Sequence, residues 1–146
     1  MQHPFFNERK EIMEQRVEEK FLVVKNQKRV TRVDAFEIMY VLKDGRRLIV
    51  VTESEEYVYY DKMSSVMRME AEGFYMPLQR CIVNLNHLKS VEVPRKRLIF
   101  RNGEELFLGR DACCQVKKVF NRYLLDKIID VETDFAAEDD AEYRKD

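Results

Sequence analysis

The sequence has few of the residues that mark flexible linkers, metal sites and disulfide frameworks. Its 146 residues include four glycines, three prolines, three cysteines and two histidines. So little glycine and proline argues against long linkers, and an odd number of cysteines, with Cys113 and Cys114 adjacent, is not a disulfide framework. No apolar run approaches the roughly 20 residues that span a bilayer, and the N terminus lacks the apolar core of a signal peptide. These absences predict one globular domain in a reducing, cytoplasmic compartment.

Catalytic arrangements of residues are also missing. Neither His3 nor His87 has metal-ligand spacing with the cysteines, and no glycine-rich phosphate loop is present. The Cys113-Cys114 pair falls at a predicted helix start, where a thiolate can be stabilised, but Cys113 lies on an apolar stripe that favours core packing. The sequence therefore predicts a protein that is not an enzyme, with no catalytic residue, metal, cofactor or small-molecule substrate.

Charge, in contrast, is plentiful and unevenly distributed. Charged residues make up 36% of the chain, and the formal net charge is −1. Residues 76–125 carry ten basic and four acidic side chains, net +6, whereas residues 126–146 carry three and nine, net −6. A basic segment beside an acidic tail indicates a polyanionic partner, with the tail as a solubiliser or weak competitor. A charged face that is merely solvated is the alternative.

Apolar runs separated by short turns predict an antiparallel meander in the first half of the chain. The strand-like runs cover residues 21–24, 37–42, 46–52 and 57–60. Lys43, Asp44 and Gly45 form a hairpin turn between the second and third runs. Turns this short join neighbouring strands in opposite directions, so the sheet is antiparallel.

A second β-region extends from residue 74 to residue 110. Strands are predicted over 79–84 and 89–93, and a hairpin follows with arms at 98–100 and 106–108. Asn102-Gly103 between these arms predicts a type I′ turn, in which both central residues have positive φ. Basic residues gather in turns at 43–47, 76–80 and 109–111. We therefore interpret the fold as a β-scaffold that holds basic groups on loops at one edge.

Three helices complete the prediction. Residues 1–20 form a polar helical arm with Asn7 as N-cap, which is either a frayed capping arm or a dimer element. A short internal helix covers 62–71, with Asp61 as its cap and Gly73 at its C-terminal end. The last helix covers 111–129, with residues 126–146 holding its end and an acidic, disordered tail. Its apolar stripe consists of Ala112, Cys113, Val116, Val119, Phe120, Tyr123 and Leu124.

The order of these elements over residues 21–125 resembles the LytTR DNA-binding domain, the output module of many bacterial response regulators. The matching segments include Phe36-Glu37-Ile38-Met39-Tyr40-Val41, like an acidic-Ile-x-Tyr-Ile strand of the family. Phe74 followed by Ile82-Val83-Asn84-Leu85 resembles the segment in which a Phe precedes an apolar-Val-Asn strand end. Residues 98–110 resemble the Asn-Gly hairpin that closes on a strand ending in Ser-Arg. Arg47 to Thr52, Tyr57, Met63 to Val66 and Leu88 match further family positions.

The resemblance implies a mainly β fold, an elongated antiparallel sandwich of small sheets, with the three helices added. It also implies transcription regulation through sequence-specific binding to double-stranded DNA, in which edge loops enter successive major grooves and bend the duplex. Carried over by position, Arg110 matches the base-reading Arg at the end of the last strand. The DNA-binding residues implied by the loops and their family positions are Lys43, Arg46, Arg47, Gln79, Arg80 and Arg110. Lys89, Arg95, Lys96, Arg97, Lys117 and Lys118 are either phosphate contacts or solvated charge.

Several positions depart from the family pattern. Met76, Leu78 and Arg80 stand where the family has a basic residue, His and Ser, and Gly109 replaces the Ser before Arg110. The resemblance further implies a homodimer on repeated sites and a regulatory partner protein, and we expect a stand-alone regulator without a receiver domain before the module. The alternative is a protein-interaction module that keeps the fold but has lost sequence-specific DNA reading.

Overall fold

The computed structural model describes residues 19–129, which form three antiparallel β-sheets and two α-helices. The predicted arm over residues 1–20 lies outside this part, except for Glu19 and Lys20, which are not helical. The predicted disordered tail also lies outside the described residues. In chain order the elements are β1 (Phe21–Lys25), β2 (Val30–Asp34), β3 (Ile38–Asp44), β4 (Arg47–Thr52), β5 (Glu56–Tyr60), α1 (Met63–Met67), β6 (Phe74–Leu78), β7 (Cys81–Asn84), β8 (Leu88–Glu92), β9 (Arg97–Phe100), β10 (Glu105–Phe107) and α2 (Arg110–Ile129).

The predicted meander is confirmed as part of a five-stranded sheet with the order β5-β4-β3-β7-β6. Strand β3 is central, and pairs with β4 on one side and β7 on the other. Its residue Val41 lies in one buried cluster with Leu48 and Ile82, whereas Cys81 and Val83 lie in a second cluster. Because successive strand residues face opposite sides, the sheet is covered on both faces. This explains why residues 81–84 are all buried.

Residues 30–34 form a separate strand that is not among the predicted strand-like runs. Strand β2 pairs with β1 in a two-stranded hairpin, with Val24 opposite Thr31. The turn is closed by Asn26, whose side-chain oxygen accepts hydrogen bonds from the backbone N–H groups of Lys28 and Arg29 at 2.8 and 2.9 Å. An Asn in this role replaces a backbone acceptor. The hairpin packs Leu22 and Val24 on the first cluster.

The Asn102-Gly103 hairpin is present, but its turn differs from the prediction. Among these two residues only Gly103 has a positive φ, at 95°. The Gly103 N–H bonds to the Phe100 carbonyl at 2.9 Å, and the Asn102 side chain accepts from the Glu104 N–H at 3.0 Å. A three-residue loop with glycine in the left-handed position therefore replaces the expected two-residue type I′ turn. The loop joins β9 and β10 of the three-stranded sheet β10-β9-β8.

Helix α2 and the three-stranded sheet form the second core. Val116 and Cys113 are fully buried there, and Phe100 is buried with its ring stacked on Tyr40 at a centroid distance of 5.3 Å. Burial of a side chain such as Phe100 stabilises the fold by roughly 1.5–3 kcal/mol. The predicted apolar stripe is confirmed through Tyr123, but Leu124 is 45% exposed. The helix continues beyond the point where its apolar face is covered.

The internal helix is shorter than predicted, since α1 ends at Met67. Asp61 stabilises its start: the carboxylate accepts hydrogen bonds from the Lys62 N–H at 2.7 Å and the Ser65 hydroxyl at 2.9 Å. Glu70 takes the left-handed conformation after the helix, with φ 53°. Gly73 was expected at this position, but instead begins the approach to β6.

Candidate nucleic-acid interface

Two turns that are distant in the chain lie side by side at one end of the five-stranded sheet. The backbone N–H of Lys43 donates a hydrogen bond of 3.0 Å to the carbonyl oxygen of Arg80. The bond follows from the pairing of β3 with β7, in which Leu42 lies opposite Cys81. The β3–β4 turn and the β6–β7 turn are thereby joined. We call residues 43–47 together with residues 79–80 the basic rim.

The side chains of the basic rim point to solvent. Lys43, Arg46, Gln79 and Arg80 are all exposed. Within residues 19–129, none of the three cations among them has an ion-pair partner. Arg47 differs, because its Nη2 donates to Asp44 Oδ2 at 2.9 Å across the turn. Sequence reasoning missed Asp44 as a partner of Arg47, although opposite charges flanking a two-residue turn gave a usable signal.

The loop predicted over residues 76–80 is mostly a strand, which corrects the expectation. Met76 and Pro77 belong to β6 and are partly buried, and Leu78 is 41% exposed at the end of the strand. Only Gln79 and Arg80 remain in the turn. Two of the four positions at which this chain departs from the family pattern, Met76 and Leu78, therefore lie on the edge strand β6, whereas Arg80 lies in the turn.

Arg110 is the first residue of α2 and is exposed. The Leu108 N–H donates to the Lys96 carbonyl at 3.0 Å, which places the helix start beside the β8–β9 turn. The other half of the helix lies near the start of β6, where Lys127 pairs with Glu72 at 3.1 Å. Strand β6 runs from there towards the basic rim, and α2 packs against it. Arg110 therefore lies at the end of the helix opposite to the Lys127–Glu72 pair and beside the β8–β9 turn.

A second group of cations surrounds the β8–β9 turn. Arg95 and Lys117 line one shallow cleft beside Pro94, and Lys96 has a left-handed backbone with φ 56°. Lys89 and Lys118 are exposed as well.

Arg97 behaves differently, because it pairs with Glu92 at 2.7 Å and with Glu105 at 2.9 Å and is 20% exposed. The hydrogen bond that Arg97 donates to Glu92 raises the pKa of Arg97. Arg97 links three strands and is not available as a solvated charge.

The cysteines and His87, the side chains considered for catalysis, lie where they contribute to the fold. Cys81 and Cys113 are buried, as their place in apolar runs predicts, and burial raises the pKa of the Cys81 thiol to about 12. His87 Nε2 lies 2.6 Å from the carbonyl oxygen of Phe36.

In residues 19–129, no group of three or more His, Cys, Asp or Glu side chains is placed to hold a metal ion. Over the same part of the chain, no helix has the length and apolar character needed to cross a membrane.

Comparisons with known proteins agree with this geometry. The family model of the LytTr DNA-binding domain matches residues 28–121. Among solved structures, the chain is similar to the LytTr DNA-binding domain of a putative methyl-accepting/DNA response regulator from Bacillus cereus. The two chains are 17% identical, the match covers 68% of this chain and 95% of the other, and the TM-score is 0.58. At this identity the likeness shows the fold alone. The comparison with curated proteins gave no match.

Proposed function

Because the chain belongs to the LytTr DNA-binding domain family, we propose that it is a transcription regulator that reads specific double-stranded DNA sites with its basic rim. The backbone hydrogen bond between Lys43 and Arg80 carries this proposal. It gathers side chains from two turns at one end of a rigid sheet, where they remain free to meet a ligand. Loops on such a scaffold are common positions for binding residues.

The side chains of the rim suit different parts of a duplex. Arg46, Arg80 and Arg110 have planar guanidinium groups that pair with guanine O6 and N7, and the Gln79 amide suits adenine N6 and N7. Lys43 and Arg47 contact phosphates and set the register. The second cationic group, around Arg95 and Lys117, lies beside the start of α2 and extends the phosphate contacts. In this arrangement the rim and Arg110 enter successive major grooves of a bent duplex.

The departures from the family pattern bear on which sequence is read. Met76 and Leu78 replace a basic residue and a His of the family and lie on β6. Base reading at this turn consequently depends on Gln79 and Arg80. We further propose that the protein binds repeated sites as a homodimer in the cytoplasm and that a regulatory partner protein controls its activity.

Selection of bound duplexes from a random pool tests the proposal. The full chain should enrich one short motif, and its affinity for that motif should fall steeply with salt because phosphate contacts release counterions. The selected duplex and a random duplex are then titrated at several salt concentrations. Equal affinity for the two duplexes at every salt concentration would refute sequence-specific reading and leave the protein-interaction alternative.

A further inference from the structure

The two edges of the five-stranded sheet are built differently. Strand β6 at one edge contains Pro77 and an irregular register between Tyr75 and Leu78, and both features discourage pairing with another strand. Strand β5 at the other edge reads Glu-Tyr-Val-Tyr-Tyr and pairs with β4 in unbroken register. It has no proline, lysine or bulge, and its aromatic and β-branched residues favour strand pairing. The β5 edge therefore lacks the features that usually discourage pairing with another strand.

The outer side of β5 has no strand partner in the described part of the chain, although β1 lies close to β5. Its strand neighbour in the sheet is β4, and none of the other backbone hydrogen bonds within residues 19–129 involves residues 56–60. Val58 and Tyr60 point away from the first core and are 42% and 76% exposed. An unpaired edge flanked by exposed apolar side chains is a template for strand addition.

Basic side chains lie beside the same edge. The β1–β2 turn and β5 enclose an open cleft of about 640 Å³. Lys25 and Lys28 line this cleft and have no ion-pair partner within residues 19–129, whereas Arg29 pairs with Glu55 at 3.2 Å. Tyr59 also lines the cleft, is 6% exposed, and its hydroxyl has no hydrogen-bond partner in the described residues. Val58 and Tyr60 line this cleft too, so the edge offers apolar and cationic side chains close together.

A segment of this chain has the complementary pattern. Residues 130–135 read Asp-Val-Glu-Thr-Asp-Phe, so that acidic residues alternate with Val131, Thr133 and Phe135. In a strand, such alternation places the three acidic side chains on one face and the three others on the opposite face. We propose that residues 130–135 of a second copy add to β5 as a sixth strand, with their acidic face towards Lys25 and Lys28 and their other face beside Val58 and Tyr60.

The position of α2 decides which copy supplies the strand. The helix ends at Ile129, and Lys127 near that end pairs with Glu72, two residues before β6 begins. Strands β6 and β5 are at opposite edges of the sheet, four strand spacings or roughly 19 Å apart. A single residue spans at most about 3.6 Å. Residue 130 of the same chain cannot reach β5, so the added strand comes from a partner copy, and reciprocal exchange gives a closed dimer.

Hydrogen exchange and sedimentation of the full-length protein without DNA test this proposal. The full chain should sediment as a dimer, and amides of β5 should be protected. Replacement of Val131 and Thr133 by proline should produce monomers and speed exchange at the outward β5 amides by at least about tenfold, because proline cannot take part in strand pairing. Ala137→Pro with Ala141→Pro is the matched control, because it adds two prolines outside the pairing segment. It should sediment and exchange its β5 amides as the unchanged chain does.

A charge exchange gives a second arm. Lys25→Glu with Lys28→Glu should weaken the dimer, and adding Asp130→Lys with Glu132→Lys should restore it. The proposal is overturned if the Val131 and Thr133 variant still dimerises, or if its β5 amides exchange at the rates of the control. A chain that is monomeric with unprotected β5 overturns it as well. Because no DNA is present, such failure leaves the proposed DNA-binding function standing.

Discussion

The side-chain amide of Asn84 donates a hydrogen bond of 2.8 Å to the backbone carbonyl of Ile38. Asn84 is 1% exposed, and its Oδ1 accepts from the backbone N–H of Asn86 at 3.0 Å. The amide thus connects the end of β7 to the start of β3 and also supports the turn after β7. A buried polar group that is satisfied on both sides fixes one arrangement of the chain.

Asn84→Ala should destabilise the protein by about 2–4 kcal/mol, since it leaves the buried Ile38 carbonyl and the partly buried Asn86 N–H without their partner. Urea unfolding of the two proteins measures the difference. Asn102→Ala, at an exposed turn, is the matched control and should cost well under half as much. Equal costs at the two positions would contradict a structural role for the Asn84 bonds.

Gly73→Ala should destabilise the fold more than Gly103→Ala. Both glycines have positive φ, at 90° and 95°, so both substitutions carry backbone strain. Only at Gly73 does a Cβ also meet other atoms, with Asn86 Nδ2 at 2.6 Å and Asn84 Oδ1 at 3.2 Å. The difference should be about 1 kcal/mol or more in chemical denaturation. Indistinguishable unfolding midpoints and slopes would show that Asn86 moves aside without cost.

Arg80→Ala and Arg110→Ala should each weaken binding to the selected duplex by about 1–3 kcal/mol, mostly at one base position. Lys43→Ala should weaken binding to selected and random duplexes alike, because a phosphate contact carries no sequence information. Arg68→Ala is the control, since Arg68 is exposed, has no ion-pair partner in the described residues and lies outside the basic rim. Fluorescence anisotropy titrations measure all four. An equal loss for Arg68→Ala and Arg80→Ala would exclude a special role for the rim.

Asp44→Asn should increase DNA affinity. It releases the Arg47 guanidinium from its ion pair at 2.9 Å and removes one negative charge from the rim. The gain should be about two- to fivefold, since an exposed ion pair is worth roughly 0.2–1 kcal/mol. The same titration with Asp126→Asn, an exposed acidic residue of α2 distant from the rim, separates the local effect from net charge. If both variants gain equally, the Asp44–Arg47 pair does not restrain Arg47.

Stability should fall as the pH rises from about 9 to about 12. Burial raises the pKa of Cys81 from 9.0 to about 12, and burial together with Asp61 raises that of Tyr59 from 10.0 to about 12. Both groups stay neutral in the folded protein while the unfolded chain ionises, so their stabilisation is complete below pH 9 and is lost as the pH approaches 12. Urea midpoints across this window should decline less steeply for Cys81→Ala. An equal slope would remove Cys81 as a cause.

Most of the strands followed from residues close together in the chain. Apolar runs over residues 46–52 and 57–60 predicted β4 and β5, and the spacing of Val116 and Phe120 predicted the buried face of α2. The strand at residues 30–34 was missed because Val33 is its one buried residue and Val30 is exposed, so the strand has only a weak apolar pattern. The turn at Asn102 was assigned the wrong type because two-residue and three-residue loops share the Asn-Gly signal.

The candidate site was less accessible to such reasoning. Arg46 and Arg80 are apparent as basic turn residues, but the sequence does not show that Arg47 is held by Asp44 or that Arg97 is enclosed by Glu92 and Glu105. Whether a cation is free depends on which carboxylates come within a few ångströms. That depends on strand register and turn length.

The sequence by itself determined the family, the antiparallel β character, the last helix and the division of charge, because periodicity, turn residues and composition are local properties. The tertiary structure alone decided that the Lys43 backbone bonds to Arg80 and that β5 lies at an edge of its sheet. The physical reason is that these relations depend on how strands distant in the chain pair and pack to bury both faces of one sheet, and no local pattern specifies that pairing.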